Sequence, residues 1–165
     1  MDTAYIPPVM KAISHVFSTT LSLNVDVGQA ALSPDPLAKH DVSAIIGFSG
    51  EYKGSLVLAF PAEVAERVVA LFVGEEIGGE HPDFADAVGE LANMVAGNAK
   101  VGFEGKRVSI SCPSVIMGAS HRIKQSKDMP VVQIPAECDC GKFVIEVSLK
   151  PEVAATATST LAQSA

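Results

Sequence analysis

The stretch that decides the fold is DVSAIIGFSGEYKGSLVLAF, which spans residues 41–60. Over 41–49 its side chains alternate in character, and the apolar ones are Val42, Ala44, Ile46 and Phe48. Alternation with a period of two is typical of a strand that buries one face. A turn with glycine at both ends, over 50–54, leads to a second apolar run over 55–60. The stretch therefore predicts a β-hairpin.

Helical periodicity flanks this hairpin on both sides. Apolar residues recur at helical spacing over 7–21, over 61–74 and from about 82 to about 100. Each of these segments has a proline in its first turn, and a glycine ends the second. We expect the second helix to turn one apolar face inward, namely Val64, Ala65, Val68, Leu71 and Phe72.

The sequence predicts that the C-terminal part of the chain forms β-strands. Segments 108–112, 115–117, 131–134 and 143–149 are rich in β-branched residues. The last alternates, which predicts an inward set of Phe143, Ile145, Val147 and Leu149 and an outward set of Val144, Glu146 and Ser148. The predicted order of elements is a helix, a hairpin, two helices and then several strands. This order predicts an α+β domain with helices packed on one sheet.

The length and composition of the chain limit the classes of protein to which it can belong. The chain has 165 residues, of which 48% are hydrophobic and 19% are charged. This is too apolar for a disordered chain and long enough for one substantial core. No apolar run approaches the roughly 18 residues of a membrane span, and the first residues lack the pattern of a secretory signal. We expect one cytoplasmic domain over 1–150 and an Ala/Thr/Ser-rich tail over 151–165.

The charge balance and the cysteines indicate whether the protein binds nucleic acid or a metal ion. Twelve Lys and Arg against 19 Asp and Glu give a formal net charge of −7. Such a surface repels phosphate backbones, so nucleic-acid binding is not expected. Cys112, Cys138 and Cys140 predict reduced thiols, and their spacing does not fit a zinc site. We therefore expect no metal of the chain's own.

The third predicted helix carries an informative polar pattern. At roughly 100° per residue, Asp86, Glu90 and Asn93 fall within one narrow stripe. The apolar residues of the helix fall on the opposite side, which we expect to pack on the sheet. Gly97 extends the stripe and Gly89 flanks it. Each glycine destabilises the helix by about 1 kcal/mol relative to alanine. A flat patch that lets another protein approach closely would explain why glycine occurs at these two positions.

The stripe alone leaves a second interpretation open. A row of Asp, Glu and Asn is also what a solvated helix face shows, and glycines also permit tight packing on a sheet. Asp86 either contacts a partner or only favours the first half of the helix through the helix dipole. The helix by itself does not decide between a site and a solvated surface.

A resemblance that extends well beyond the helix favours the site. Asp86, Glu90 and Asn93, followed by Pro113, resemble the signature of the CheX/CheC/FliY chemotaxis phosphatases. The run GELANMVAGNAK over 89–100 is similar to the CheX branch, as are the hairpin and the run GKFVIEV over 141–147. The resemblance covers residues 1 to about 150. A single copy of the signature favours the CheX type over CheC-type members, which typically carry two.

The resemblance implies an antiparallel-rich sheet with long helices packed on it, in a homodimer. It implies a protein substrate, the phosphorylated CheY-type response regulator, whose aspartyl phosphate is hydrolysed. The Mg²⁺ and the active-site lysine of that reaction belong to the regulator, so no cofactor of the chain's own is implied.

Glu90 and Asn93 are the catalytic residues that the resemblance implies. Hydrolysis of an activated acyl phosphate mainly needs a water positioned in line. An amide offers an acceptor and donors and stays neutral beside phosphoryl oxygens, which suits Asn93 to orient that water. Glu90, one turn earlier on the same face, would pair with the regulator's lysine. Asp86, Gly89 and Gly97 are the expected partner-binding residues.

The alternative is a non-catalytic adaptor that binds a response regulator or a flagellar-switch component. Such an adaptor would use the same face for docking without turnover. Because an adaptor does not need a water-orienting amide, the presence of Glu90 together with Asn93 favours the phosphatase.

Overall fold

The protein is an α+β domain, as the element order predicts. The computed structural model describes residues 2–33 and 39–153, and within them three helices pack on one sheet. The helices are α1 (Ile6–Leu21), α2 (Ala62–Val73) and α3 (Pro82–Val101). The strands are β1 (Asp26–Val27), β2 (Ala31–Leu32), β3 (Lys39–Gly50), β4 (Tyr52–Phe60), β5 (Val108–Ile110), β6 (Ser114–Arg122), β7 (Val132–Cys138) and β8 (Gly141–Pro151).

The sheet is antiparallel throughout its described pairs, with the strand order β1-β7-β8-β4-β3-β5. Strand β2 also pairs with β7, and β6 also pairs with β3. The predicted hairpin is therefore the pair β3–β4 near the middle of the sheet. Its inward side chains, Ala44, Ile46, Leu56 and Leu58, are fully buried beneath the helices.

The turn of the hairpin is tighter than the sequence predicts. β3 extends to Gly50, β4 begins at Tyr52, and Gly54 lies inside β4 opposite Phe48. Gly54 has φ +146°, and a Cβ at this position would collide with the carbonyl oxygen of Ser148 in β8. Glycine at 54 therefore allows β8 to lie close beside the hairpin.

The three predicted helices are confirmed, with one difference in the face that α2 buries. Val64, Ala65 and Val68 point into the core as expected, and Val69 joins them. Leu71 is 49% exposed, because the buried face of α2 is shifted toward Val69, about 160° away around the helix, and the last turn of α2 is less covered. No helix in the described part of the chain has the length and apolar character needed to cross a membrane.

The outer face of β8 is buried, although we expected it to face outward. Glu146 and Ser148 lie on the sheet face away from the helices, yet they are only 4% and 0% exposed. The segment between β6 and β7 lies against Ser148, whose hydroxyl donates to the carbonyl oxygen of Pro130 (3.1 Å). Glu146 Oε1 lies 3.1 Å from His40 Nε2. Alternation identified the face correctly, but Pro130 and His40 lie against it.

The predicted tail begins inside the last strand. β8 extends to Pro151, whose register partner is Tyr52. Residues 154–165 lie outside the described residues, so the remaining tail stays a prediction.

Asp41 ties three elements together at one end of the sheet. One carboxylate oxygen accepts the backbone N–H of Ser120 in β6, and the other accepts that of Ala62 at the start of α2, both at 3.0 Å. These two hydrogen bonds lower the pKa of Asp41 below its ordinary value of 3.8. The charged form of Asp41 therefore stabilises the folded state.

Replacing Asp41 should reduce stability in a pH-dependent way. At neutral pH, Asp41→Ala should lower the free energy of unfolding by about 1–2 kcal/mol, because two backbone donors lose their acceptor. A lowered folded-state pKa makes the contribution complete above 3.8 and lost as the pH falls through the lower value. Urea unfolding of both proteins at pH 7 and near pH 3 measures this, and a difference that stays constant with pH would contradict it.

Candidate active site

Helix α3 has terminal residues suited to their positions. Its N-cap is His81, whose Nδ1 accepts the backbone N–H of Asp83 at 3.1 Å. Pro82 and Asp83 in the first turn and Lys100 in the last turn favour the helix and its dipole. The buried residues of α3 are Phe84, Ala87, Val88, Gly89, Leu91, Ala92, Val95, Ala96 and Ala99. The core therefore holds the helix along its whole length.

The predicted polar stripe is present on the open side of α3. Asp86 and Glu90 are exposed and Asn93 is half-buried. Their side chains make no hydrogen bond or ion pair with any residue in the described ranges 2–33 and 39–153. Glu90 and Asn93, three residues apart, are thus presented together on one face. The carboxylate and the amide are therefore not engaged by the described part of the chain and can bind another molecule.

A bulge lies beside this stripe, where β5 gives way to β6. β3 pairs with β5 as far as Phe48↔Ile110 and with β6 from Ile45↔Ser114. Three residues, 111–113, therefore face only two residues of β3, 46–47. An extra residue in one strand of an antiparallel pair is a β-bulge, a feature that is over-represented next to active sites.

Ser111 fastens the bulge to β3. Its backbone N–H donates to the carbonyl oxygen of Gly47 (2.9 Å), and the N–H of Gly47 donates to Ser111 Oγ (2.9 Å). The Ser111 hydroxyl donates in turn to the carbonyl oxygen of Cys112 (2.8 Å). We call this set of hydrogen bonds the Ser111 clamp.

Gly89 is buried under the bulge, so the open patch expected there is absent. A Cβ on Gly89 would lie 3.1 Å from Pro113 Cγ and 3.3 Å from Val115 Cγ2. Both distances are shorter than ordinary van der Waals contact, so the missing side chain lets Pro113 rest against α3. Gly89 therefore has a packing role in this structure, and its contact with a partner stays a prediction.

Gly97 differs from Gly89 because space is available beside it. The nearest atom that a Cβ on Gly97 would meet is Ile110 Cδ1, at 4.0 Å. Packing among the described residues therefore does not require glycine at 97. Gly97 stays a candidate for the close approach of a partner.

The two glycines should respond oppositely to alanine. Gly97→Ala should raise the free energy of unfolding by about 0.5–1 kcal/mol, because alanine favours the helix and meets no obstacle. Gly89→Ala should lower it by up to about 2 kcal/mol, because the Ser111 clamp holds Pro113 in place and the crowding costs more than the roughly 1 kcal/mol that alanine contributes to the helix. Urea denaturation of both variants measures these changes. If Gly97 also contacts a partner, Gly97→Ala should weaken partner binding despite its higher stability, and unchanged binding would remove Gly97 from the site.

One serine–histidine pair occurs elsewhere in the protein, and its geometry argues against hydrolysis by a serine. Ser43 Oγ lies 2.8 Å from His121 Nε2, and His121 Nδ1 lies 2.8 Å from the carbonyl oxygen of Gly118. Ser43 is fully buried, so its hydroxyl is not presented to a substrate. The pair instead links β3 to the irregular part of β6.

The cysteines do not form a reactive centre near the stripe. Cys138 ends β7 and Cys140 lies in the turn before β8, where burial raises the pKa of Cys140 to about 11. Its thiol is therefore protonated at neutral pH. Cys112 is exposed in the bulge. Among the described residues, no group of three or more His, Cys, Asp or Glu side chains is arranged to hold a metal ion.

Sequence reasoning missed the Ser111 clamp. An isolated glycine within a strand pattern, here Gly47, is a signal of a bulge or of close backbone approach. A proline two residues after Ser111 is a further sign that regular pairing ends there. Neither signal shows which strand lies opposite, so the contact required the structure.

The stripe lies on the open surface of α3, so Asp86 and Glu90 are accessible from solvent. Residues 42–137 match the family described as chemotaxis phosphatase CheX. The CheY-P phosphatase CheX of Thermotoga maritima is 28% identical over 127 residues, which cover 75% of this chain and 82% of that protein. The crystal structure of chemotaxis protein CheX from Desulfovibrio desulfuricans is 33% identical, with a TM-score of 0.81 over 90% of this chain and 99% of that one.

A further structure shares the fold. It is that of the CheX–CheY–BeF₃–Mg²⁺ complex from Borrelia burgdorferi, at 24% identity and a TM-score of 0.74 over 88% of this chain and 97% of that one. The resemblance seen in the sequence is thereby confirmed. The chain belongs to the chemotaxis phosphatase CheX family.

Proposed function

We propose that this chain accelerates hydrolysis of the aspartyl phosphate on a CheY-type response regulator. Its family is described as chemotaxis phosphatases, and the relative from T. maritima is named a CheY-P phosphatase. The observation that carries the proposal is the pair of Glu90 and Asn93 on one face of α3, where neither side chain makes a hydrogen bond or ion pair with a described residue. The B. burgdorferi complex supports it, because the same fold there has CheY as its partner.

Asn93 is the proposed water-orienting group. Its amide oxygen accepts a hydrogen bond from the attacking water, and its NH₂ group donates toward the phosphoryl oxygens. A carboxylate at this position would repel those oxygens. Because hydrolysis of an acyl phosphate needs positioning more than covalent help, one well-placed amide supplies much of the acceleration.

Glu90 is the proposed docking residue. Its exposed carboxylate lies one turn before Asn93, so both side chains enter the same shallow pocket of the regulator. There Glu90 pairs with the regulator's active-site lysine and fixes the orientation of the complex. Mg²⁺ belongs to the regulator and organises its phosphoryl group. Asp86, exposed one turn before Glu90, extends the same contact surface.

A phosphate-release time course tests this function. A phosphorylated receiver domain should release inorganic phosphate faster with the protein than without it, and chelation of Mg²⁺ should abolish the acceleration. Equal time courses with and without the protein, at micromolar concentrations of both, would refute the phosphatase.

We further propose that the chain forms a homodimer through the free edge of β6. One edge of β6 pairs with β3, and within the described residues no strand pairs with the other. Ile116 and Met117 are 37% and 39% exposed on this strand, and its first eight residues carry no acidic side chain, lysine or proline. An uncharged exposed edge invites pairing with a second copy. Dimerisation there would leave the stripe on α3 open.

A lysine placed on this edge should separate the protomers. Light scattering of the unchanged protein at micromolar concentration should give the mass of two chains, and Ile116→Lys should give the mass of one. Leu71→Lys is the matched control, since Leu71 is also an exposed apolar residue but lies on α2. A monomeric unchanged protein would contradict the proposal.

A further inference from the structure

The bulge between β5 and β6 connects the sheet to the candidate site. Ile110 lies 4.0 Å from where a Cβ on Gly97 would be, and Pro113 rests against Gly89. The segment 110–113 therefore runs along α3 over the same length that holds Glu90 and Asn93. It forms a wall beside the stripe, and the residues from 111 to 113 are exposed at its top.

Asn93 lies nearer to this wall than Glu90 does. Asn93 follows Gly89 by four residues, which places the two about 40° apart around the helix. Glu90 is turned about 100° from Gly89 in the same direction, so it lies farther round the helix than Asn93 does. The exposures agree with this, since Asn93 is half-buried and Glu90 is exposed. The position of segment 110–113 therefore limits the space around the Asn93 amide.

The hydroxyl of Ser111 sets the position of the wall. The extra residue of the bulge puts the Gly47 N–H out of step with the backbone acceptors of the facing segment, and Ser111 Oγ accepts it instead. The same oxygen donates to the carbonyl of Cys112, the residue directly before Pro113. One side chain thus links β3 to the peptide unit that presses Pro113 onto α3.

We propose that Ser111 is a positioning residue of the phosphatase site, a role that rests on the proposed function. Through the clamp it holds Pro113 against Gly89 and so fixes the wall beside Asn93. A misplacement of about 1 Å in a positioned reacting group can cost about 10²-fold in rate, so a residue outside the contact surface that fixes this position has a measurable effect. Ser111 itself does not touch the phosphoryl group in this proposal.

Turnover kinetics of three variants test the role. Ser111→Ala should lower kcat by about tenfold and leave KM within about twofold, because docking through Glu90 is retained while the water is less well placed. Ser111→Thr keeps the hydroxyl at an exposed position and should restore at least half of kcat. Ser109→Ala is the matched control, since Ser109 is exposed on β5 two residues earlier and should behave like the parent.

A double-mutant cycle separates positioning from a general loss of structure. If Ser111 acts through Asn93, Ser111→Ala should have little further effect on turnover in an Asn93→Ala background. A general structural defect would instead lower turnover by the same factor in both backgrounds. Additive losses would therefore overturn the proposal.

Hydrogen exchange at the Gly47 amide reports on the clamp without any regulator present. Ser111→Ala should speed exchange of this amide by about tenfold, and Ser111→Thr should restore its protection. Unchanged protection would overturn the clamp. Faster exchange with unchanged kcat would overturn the positioning role. No acceleration of phosphate release by the unchanged protein would overturn the proposed function, and with it this role of Ser111, whatever the amide shows.

Discussion

Asn93→Ala should fold normally and lose most of its ability to accelerate phosphate release. Removal of one positioned catalytic group commonly costs on the order of 10²-fold or more in rate. The side chain is half-buried and makes no hydrogen bond to any described residue, so its removal leaves no internal group unsatisfied. Single-turnover release of phosphate from a phosphorylated receiver, with the variant in excess, measures the effect.

Asn98→Ala is the matched control for this experiment. Asn98 is an exposed asparagine on the same helix, and its amide donates to the carbonyl oxygen of Met94 (3.0 Å). It lies about 140° from Asn93 around α3, away from the proposed contact face. Asn98→Ala should keep the parental rate. If Asn93→Ala also keeps it, the water is oriented by another group.

Glu90→Ala should weaken docking by a large factor. A carboxylate paired with a lysine in a water-shielded contact is worth about 1–3 kcal/mol, so Kd should rise by roughly 5- to 150-fold. Glu90→Gln should recover part of the affinity, because its amide oxygen still accepts a hydrogen bond from the lysine. Titration with a receiver domain loaded with BeF₃ and Mg²⁺ measures binding without turnover.

Two further variants serve as comparisons in the binding experiment: Asn93→Ala and a substitution of a distant glutamate. Glu63 is exposed in the first turn of α2, and Glu63→Ala should bind like the parent. Asn93→Ala should bind almost normally although it does not turn over. Equal losses of binding at Glu90 and Asn93, with no phosphate release by the parent, would favour the adaptor instead. Normal binding by Glu90→Ala with poor binding by Asn93→Ala would reverse the two roles.

Periodicity explains why the helices and the hairpin could be predicted from the sequence. The alternation around Ala44 and Ile46 identifies a strand, and the 100° step around α3 places Glu90 and Asn93 opposite the buried face. Both are local properties of a few residues, and tertiary packing supports them here. The fold class therefore follows from the pattern, and the strand order does not.

Contacts between distant segments explain what could not be predicted. Glu146 and Ser148 alternate correctly, yet they are buried against residues far away in the chain, His40 and Pro130 respectively. Leu71 fits the apolar stripe of α2 but lies where the core gives little cover. Gly89 and Gly97 have the same apparent meaning in the helix, and only the position of Pro113 distinguishes them. Periodicity predicts on which face of a helix or strand a side chain lies. It does not predict which other segment packs against that face.

The central place of β8 in the sheet has a consequence for how the chain reaches its folded state. β4 and β7 both pair with β8, so two strands in the middle of the sheet lack a neighbour until residues 141–151 have been synthesised. Pairing Tyr52 with Pro151 closes a loop of about a hundred residues, and contacts of such long range slow folding. Until then β4, whose last five residues are all buried in the folded protein, has an open edge prone to aggregation. A chain that stops before β8 should therefore contain all of α3 and still be a poor phosphatase.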